Sequence, residues 1–168
     1  INSGSFVDLD DKTIRLIKEI CVSLGISKIH FECHYMHRDA VKEFKESFEK
    51  LGIECVIKLG LETFDYELRE NVLVKGIDEK NPEVIARYFD EINLLQGIRG
   101  QTVETMITDI ETGLKYFDRV CVNIMVENGM PIKPDKEVIA AFMERVYPIY
   151  KDNNRLDILL NNTDFGVG

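Results

Sequence analysis

The sequence predicts an α/β fold, a partial TIM-like (β/α) barrel of parallel strands with helices outside, and three observations carry that expectation. Segments with helical and with strand periodicity alternate along the chain, joined by mostly short connections. That order demands crossovers and therefore a parallel sheet, because a helix between two strands returns the chain to the same edge. Strand-like runs such as "LDILL" and "RVCVNIMV" are apolar nearly throughout, as expected where helices cover one face and a filled interior the other. Five or six strands can be counted, including a fragment at "INSGSF", which is too few to close an eight-stranded barrel.

The elements follow in order. Asp10 or Asp11 can cap a first helix with Ile14, Ile17, Ile20, Cys21 and Leu24 on one stripe, ended by Gly25. The run "KIHFECHY" is rich in β-branched and aromatic residues and reads as the strand after it. A second helix from about Asp39 spaces Val41, Phe44, Phe48 and Leu51 helically and stops at Gly52, before the strand "ECVIKLGLET". Helical "YELRENVLVKG" and "PEVIARYFDE" come next, the latter with Pro82 in its first turn. Strand "INLLQG" leads into the loop "IRGQ", and Thr102 can cap a long helix with Met106, Ile107, Ile110, Leu114 and Phe117 inward. "RVCVNIMVE" is a strand, "DKEVIAAFMERVYPIY" a helix introduced by Pro134, and "LDILLNN" the last strand.

Composition narrows the function. The 168 residues fit one domain spanning 1–168, and 45% apolar content argues against disorder. Thirty acidic against twenty-one basic residues give a net charge of −9, which disfavours a surface that tracks nucleic-acid phosphates. No apolar run is long enough to span a bilayer and no signal peptide opens the chain, so a cytoplasmic setting is expected. Cys21, Cys33, Cys55 and Cys121 are too widely spaced for a CxxC pair and are expected to act as small buried hydrophobes. The chain begins at Ile1 rather than at methionine and stops just after a strand, so sequence is expected to be missing upstream and the C-terminus is expected to be a cut as well.

Working residues in such folds sit at the C-terminal strand ends and in the loops after them. Here that rim collects Asn2 to Ser5, Glu32 and His34, Gly60 to Thr63, Gln96 to Gly100, Asn123, Glu127 to Gly129 and Asn161 to Asp164, all but a few polar or glycine. "IHFECHYMH" holds all three histidines, and strand alternation would put His30, Glu32 and His34 on one face. Imidazole and carboxylate there could serve a metal-dependent lyase or hydrolase. Positions i and i+4 of a strand lie roughly 13 Å apart, however, so at most two could reach one ion, and no stoichiometric metal is expected.

The rim segments also carry a resemblance. "NSGSFVD", "FECHYMHRDAV", "IKLGLETFDYELRENVLVKGI" and "NLLQGIRGQTVETMITDI", in this order, resemble the successive strand-end motifs of radical S-adenosylmethionine (radical SAM) enzymes, from Asn2 to about Glu127. The resemblance implies a partial (β/α)6 barrel, a [4Fe–4S] cluster, and SAM cleaved reductively to drive radical chemistry on a substrate it does not name. It implies that Ser3 and Gly4 approach the methionine amino group and that Glu62 faces the cofactor. It further implies that Gln96 and Gly97 lie near adenine, and that Asn123 on the next strand and Glu32, the glutamate of the second motif, are cofactor-binding residues as well. His34 departs from the basic residue expected at its position and is assigned to the substrate pocket. The family's CxxxCxxC cluster loop is absent from these 168 residues, so the cluster-binding segment is expected upstream and this chain alone is expected to be inactive. A non-catalytic scaffold that has lost its cluster stays open as an alternative.

Overall fold

The computed structural model of the chain describes residues 4–129 and 131–160. Five strands, β1 (Lys28–Glu32), β2 (Glu54–Glu62), β3 (Glu91–Gln96), β4 (Arg119–Ile124) and β5 (Leu156–Leu159), form one all-parallel sheet whose spatial order is the sequence order. Helices α1 (Asp11–Ser23), α2 (Arg38–Glu49), α3 (Pro82–Ile85), α4 (Val103–Tyr116), α5 (Lys136–Ala141) and α6 (Tyr147–Tyr150) accompany them. Uniform stepping with the helices on one side curls the sheet into a half-barrel, the architecture expected from the alternating pattern. The sixth strand fragment falls partly on Ile1 to Ser3, outside the described residues, and Phe6–Asp8 is a short 3-10 turn. No helix among the described residues is long and apolar enough to cross a membrane.

The core lies between the convex face of the sheet and the helices. Phe31, Ile57, Leu59, Ile92, Leu94, Val120 and Val122 point that way and are almost wholly buried. α2 meets them with Val41, Phe44 and Phe48, and the rings of Phe31 and Phe44 pack edge to face at 5.0 Å. Between α4 and the sheet the spacing is tight at Gly113, where a Cβ would come within 2.8 Å of Val120 Cγ2. All four cysteines are free and buried, as the sequence suggests.

Capping follows the sequence closely. Asp10 accepts from the Thr13 amide at 2.6 Å, and Thr102 Oγ1 accepts from the Thr105 amide at 3.2 Å. The departures have local causes. β1 ends at Glu32 rather than Tyr35: the Cys33 amide still donates to Lys58 O (3.0 Å), after which Ser5 Oγ takes the His34 amide (2.8 Å) and the His34 ring caps the turn Tyr35–His37. The helix expected over residues 82–91 stops at Ile85, since Asp90 is pinned to β2, its amide donating to Ile57 O and its carboxylate accepting from Ile57 N. The last helix is interrupted by a wider π turn over Phe142–Val146, in which the Tyr147 amide reaches back to Phe142 O. Pro148, which lacks an amide hydrogen, follows at once.

The segment read as the helix "YELRENVLVKG" contains only a short helical start and a π turn, Leu68–Val72. Beyond it the chain runs as a strap from residue 73 to 79, held from below by Arg69. This side chain is completely buried, and its guanidinium donates to Thr63 O (3.3 Å), Ile77 O (3.0 Å), Glu79 O (2.7 Å) and the Glu70 carboxylate (3.0 Å). Glu70 in turn accepts from the Ile77 amide. Removing the guanidinium strands three carbonyls and one carboxylate. Arg69→Ala is expected to cost about 3–5 kcal/mol in denaturant unfolding; a loss below about 1 kcal/mol would show that water replaces these contacts freely.

Candidate functional site

Parallel register decides which side chains share the concave face. His30 and Glu32 stand on β1, Lys58 and Gly60 on β2, Glu91 and Asn93 on β3, Arg119, Cys121 and Asn123 on β4, and Asp157 on β5. Buried charge is tolerated only when paired, and the pairs are present. Glu91, 6% exposed, is approached by His30 Nδ1 at 3.3 Å and Lys58 Nζ at 3.8 Å. Arg119 grips Asp157 with two contacts of 2.6 Å, which hold the Asp157 carboxyl below the usual carboxylate range. Glu32 has a neutral partner, Asn93 Nδ2 at 3.1 Å, and burial raises its carboxyl above the ordinary range.

Towards the C-terminal ends of β1 and β2 the face opens into a cleft of about 410 Å³ lined by Gly4, Ser5, Asp8, Glu32, His34, Gly60 and Lys75 among others. The strap forms its far wall. Lys75 Nζ binds Glu62 Oε1 at 2.9 Å, and Lys75 O accepts from His34 Nε2 at 2.8 Å. His34 Nδ1 accepts from the Met36 amide at 3.2 Å, so with these contacts the ring carries its proton on Nε2. Glu62 and Val74, at φ 72° and 52°, are the non-glycine residues with positive φ among those described, and both flank this wall. Backbone strain of this kind concentrates at ligand-binding segments.

The three members of the histidine-rich strand diverge: His30 turns to Glu91, Glu32 to Asn93, and His34 to the strap. Among the described residues no group of three or more His, Cys, Asp or Glu is placed to hold a metal ion. Gly4, Glu32 and His34 share the cleft, and Glu62 joins them through Lys75. Ser3 lies outside the described residues. Asn123 is buried on the concave face further along the rim. Gly97 ends β3 at φ 99°, where a Cβ would come within 2.6 Å of Ile139, so only glycine fits. Its loop is shaped by Gln101, whose Oε1 accepts from the Gly97 and Ile98 amides and whose Nε2 donates to Leu95 O. Gln96 brings only its backbone to the rim, because its side chain lies on the helix side facing Asp109 of α4.

Sequence reading passed over Lys75, Asn93 and Lys58. Lys75 was hidden in a supposed helix, and Asn93 in the strand "INLLQG", whose apolar neighbours mask an alternation that register alone makes visible.

No protein-family model matches the chain, and no curated protein matches it. Among solved structures, a queuine lyase from Clostridium spiroforme bound to SAM and queuine matches with a TM-score of 0.88 and 41% sequence identity. The alignment covers 98% of this chain and 70% of that one.

Beneath the rim, Asp109 Oδ1 accepts from the Phe64 amide at 2.8 Å, and the buried Thr63 and Gln96 side chains lie beside its carboxyl. Burial pushes the Asp109 carboxyl up to about 6. A carboxyl raised above its unfolded value stabilises the fold below that value and loses the contribution as pH rises through the folded one. The shift corresponds to about 3 kcal/mol lost between about pH 4 and 6. Asp109→Asn is expected to remove this loss, so its stability relative to the native protein should climb by about 1–3 kcal/mol from pH 4 to pH 7.5 in urea titrations. A pH-independent difference would place the charge in water.

Proposed function

Because the chain belongs to the radical SAM enzymes, we propose that it forms the barrel of a queuine lyase, which binds SAM and queuine in the concave face and cleaves queuine by radical chemistry. The observation that carries this reading is the 41% identity over nearly the whole chain to a lyase bound to both molecules. The residues present fit SAM. Its sulfonium and amino groups are cationic, and the cleft sets Asp8 and the Glu62 carboxylate against one ammonium, Lys75. Its carboxylate calls for a cation, which Lys75 supplies on the strap wall. Gly4 allows close backbone approach at one end of the rim, and the Gly97 turn with Asn123 offers a flat, polar seat for adenine at the other.

They do not fit an iron–sulfur cluster. All four cysteines are buried and separate, and burial pushes the Cys33 and Cys55 thiols up to about 12 and Cys121 to about 11, far from the thiolate form that binds iron. The reading therefore takes cluster thiolates from sequence outside these 168 residues. SAM, reductively cleaved, supplies this family's hydrogen-abstracting carbon radical; the barrel binds, orients and keeps water away. Four reduced thiols suit a cytoplasmic setting.

The test is chemical. The complete protein, reconstituted anaerobically, is expected to consume queuine and release 5′-deoxyadenosine by mass spectrometry; consumption of neither SAM nor queuine would defeat the reading. At residue level, Glu62→Ala is expected to weaken SAM binding by about 1–3 kcal/mol in calorimetry, since a charged hydrogen bond is lost. Unchanged affinity would remove Glu62 from the cofactor site.

A further inference from the structure

The acids of the concave face and its rim differ in what neutralises them. Glu91 faces His30 and Lys58, Asp157 is gripped by Arg119, and Glu62 is matched by Lys75. Glu32 forms no ion pair among the described residues, and its partner is the neutral amide of Asn93. It is half-buried and lines the cleft, so one side of its carboxylate stays open to a ligand. Asn93 is 7% exposed, spends Nδ2 on Glu32, and keeps a buried Oδ1 with no partner. A buried acceptor left empty costs free energy that a donor could recover. Next to Asn93 in register stands Gly60, which adds no side chain to the floor between Glu32 and the strap.

A carboxylate that lines the cleft, held by a neutral amide and with no cation bonded to it among the described residues, selects a ligand edge made of N–H donors. A carboxylate accepts two parallel N–H bonds in a planar fork. The 2-aminopyrimidinone edge of a 7-deazaguanine base offers that fork in its ring N1–H and exocyclic amine. We propose that Glu32 reads this edge of the substrate, and that Asn93 positions the Glu32 carboxylate for it. The proposal rests on the queuine reading above, because queuine is a 7-deazaguanine. It assigns Glu32 to the substrate base rather than to SAM.

The experiment compares 7-deazaguanine with 7-deazahypoxanthine, the same base without its exocyclic amine, in competition with queuine on the SAM-loaded complete protein. The native protein is expected to prefer 7-deazaguanine by about tenfold or more. In Glu32→Gln, one acceptor oxygen becomes a donor that meets the N–H edge head on. That variant is expected to lose the preference and to bind queuine at least about thirtyfold more weakly, with SAM affinity unchanged. Asn93→Ala, which keeps the carboxylate but frees its orientation, is expected to reduce the preference without reversing it, and a thermal melt checks that each variant is folded. Retained preference in Glu32→Gln, or a loss confined to SAM binding, overturns the assignment while leaving the queuine reading in place. A native protein that binds SAM but neither queuine nor 7-deazaguanine overturns both.

Discussion

Polar and charged side chains on the inside of a half-barrel must each find a partner, and that requirement organises this molecule. The convex face is satisfied by apolar packing, which tolerates many arrangements of similar volume. The concave face tolerates few, since a buried carboxylate without a partner is far costlier than a poorly packed methyl group. Glu91 between His30 and Lys58 therefore ties β1 and β2 to β3, and Arg119 on Asp157 ties β4 to β5, from the inside. These ties close one end of the cavity and leave the other end, under the strap, for ligands.

The strap is the second consequence. A helix between β2 and α3 would have covered the convex side like its neighbours. Instead the chain crosses the rim, and the fully buried Arg69 takes three of its carbonyls in one rigid fork. That anchor sets Lys75 over the cleft, where it meets Glu62 and the ring of His34. The positive φ of Glu62 and of Val74 is the local cost of bringing these two segments face to face. Lys58 and Arg119 are spent on Glu91 and Asp157, so at the open end of the face, beside Glu62, the strap supplies the cation.

The candidate site was legible in part. Glu32, Glu62 and Gly97 stood out because they lie at strand ends, where such folds carry their working residues, and because the order of motifs resembles a family that the structural match supports. Lys75 was not legible, since "YELRENVLVKG" has helical spacing and nothing local reports a buried arginine that pulls the chain across the rim. Asn93 was not legible either, because its role depends on β1 lying two strands away with Glu32 opposite.

The sequence by itself determined the alternation of helix and strand, hence the parallel sheet, the order of its strands, the capped starts of α1 and α4 and the burial of the cysteines. These follow from periodicity and short-range hydrogen bonding, which act within a few residues. Only the tertiary structure decided where β1 ends, how the helices expected over residues 66–76 and 82–91 are cut short, and which acid keeps an open face. The cut at 66–76 turns on the buried Arg69, and the other three on contacts between residues far apart in the chain, Ser5 with His34, Ile57 with Asp90, Glu32 with Asn93, which leave no mark on local propensity.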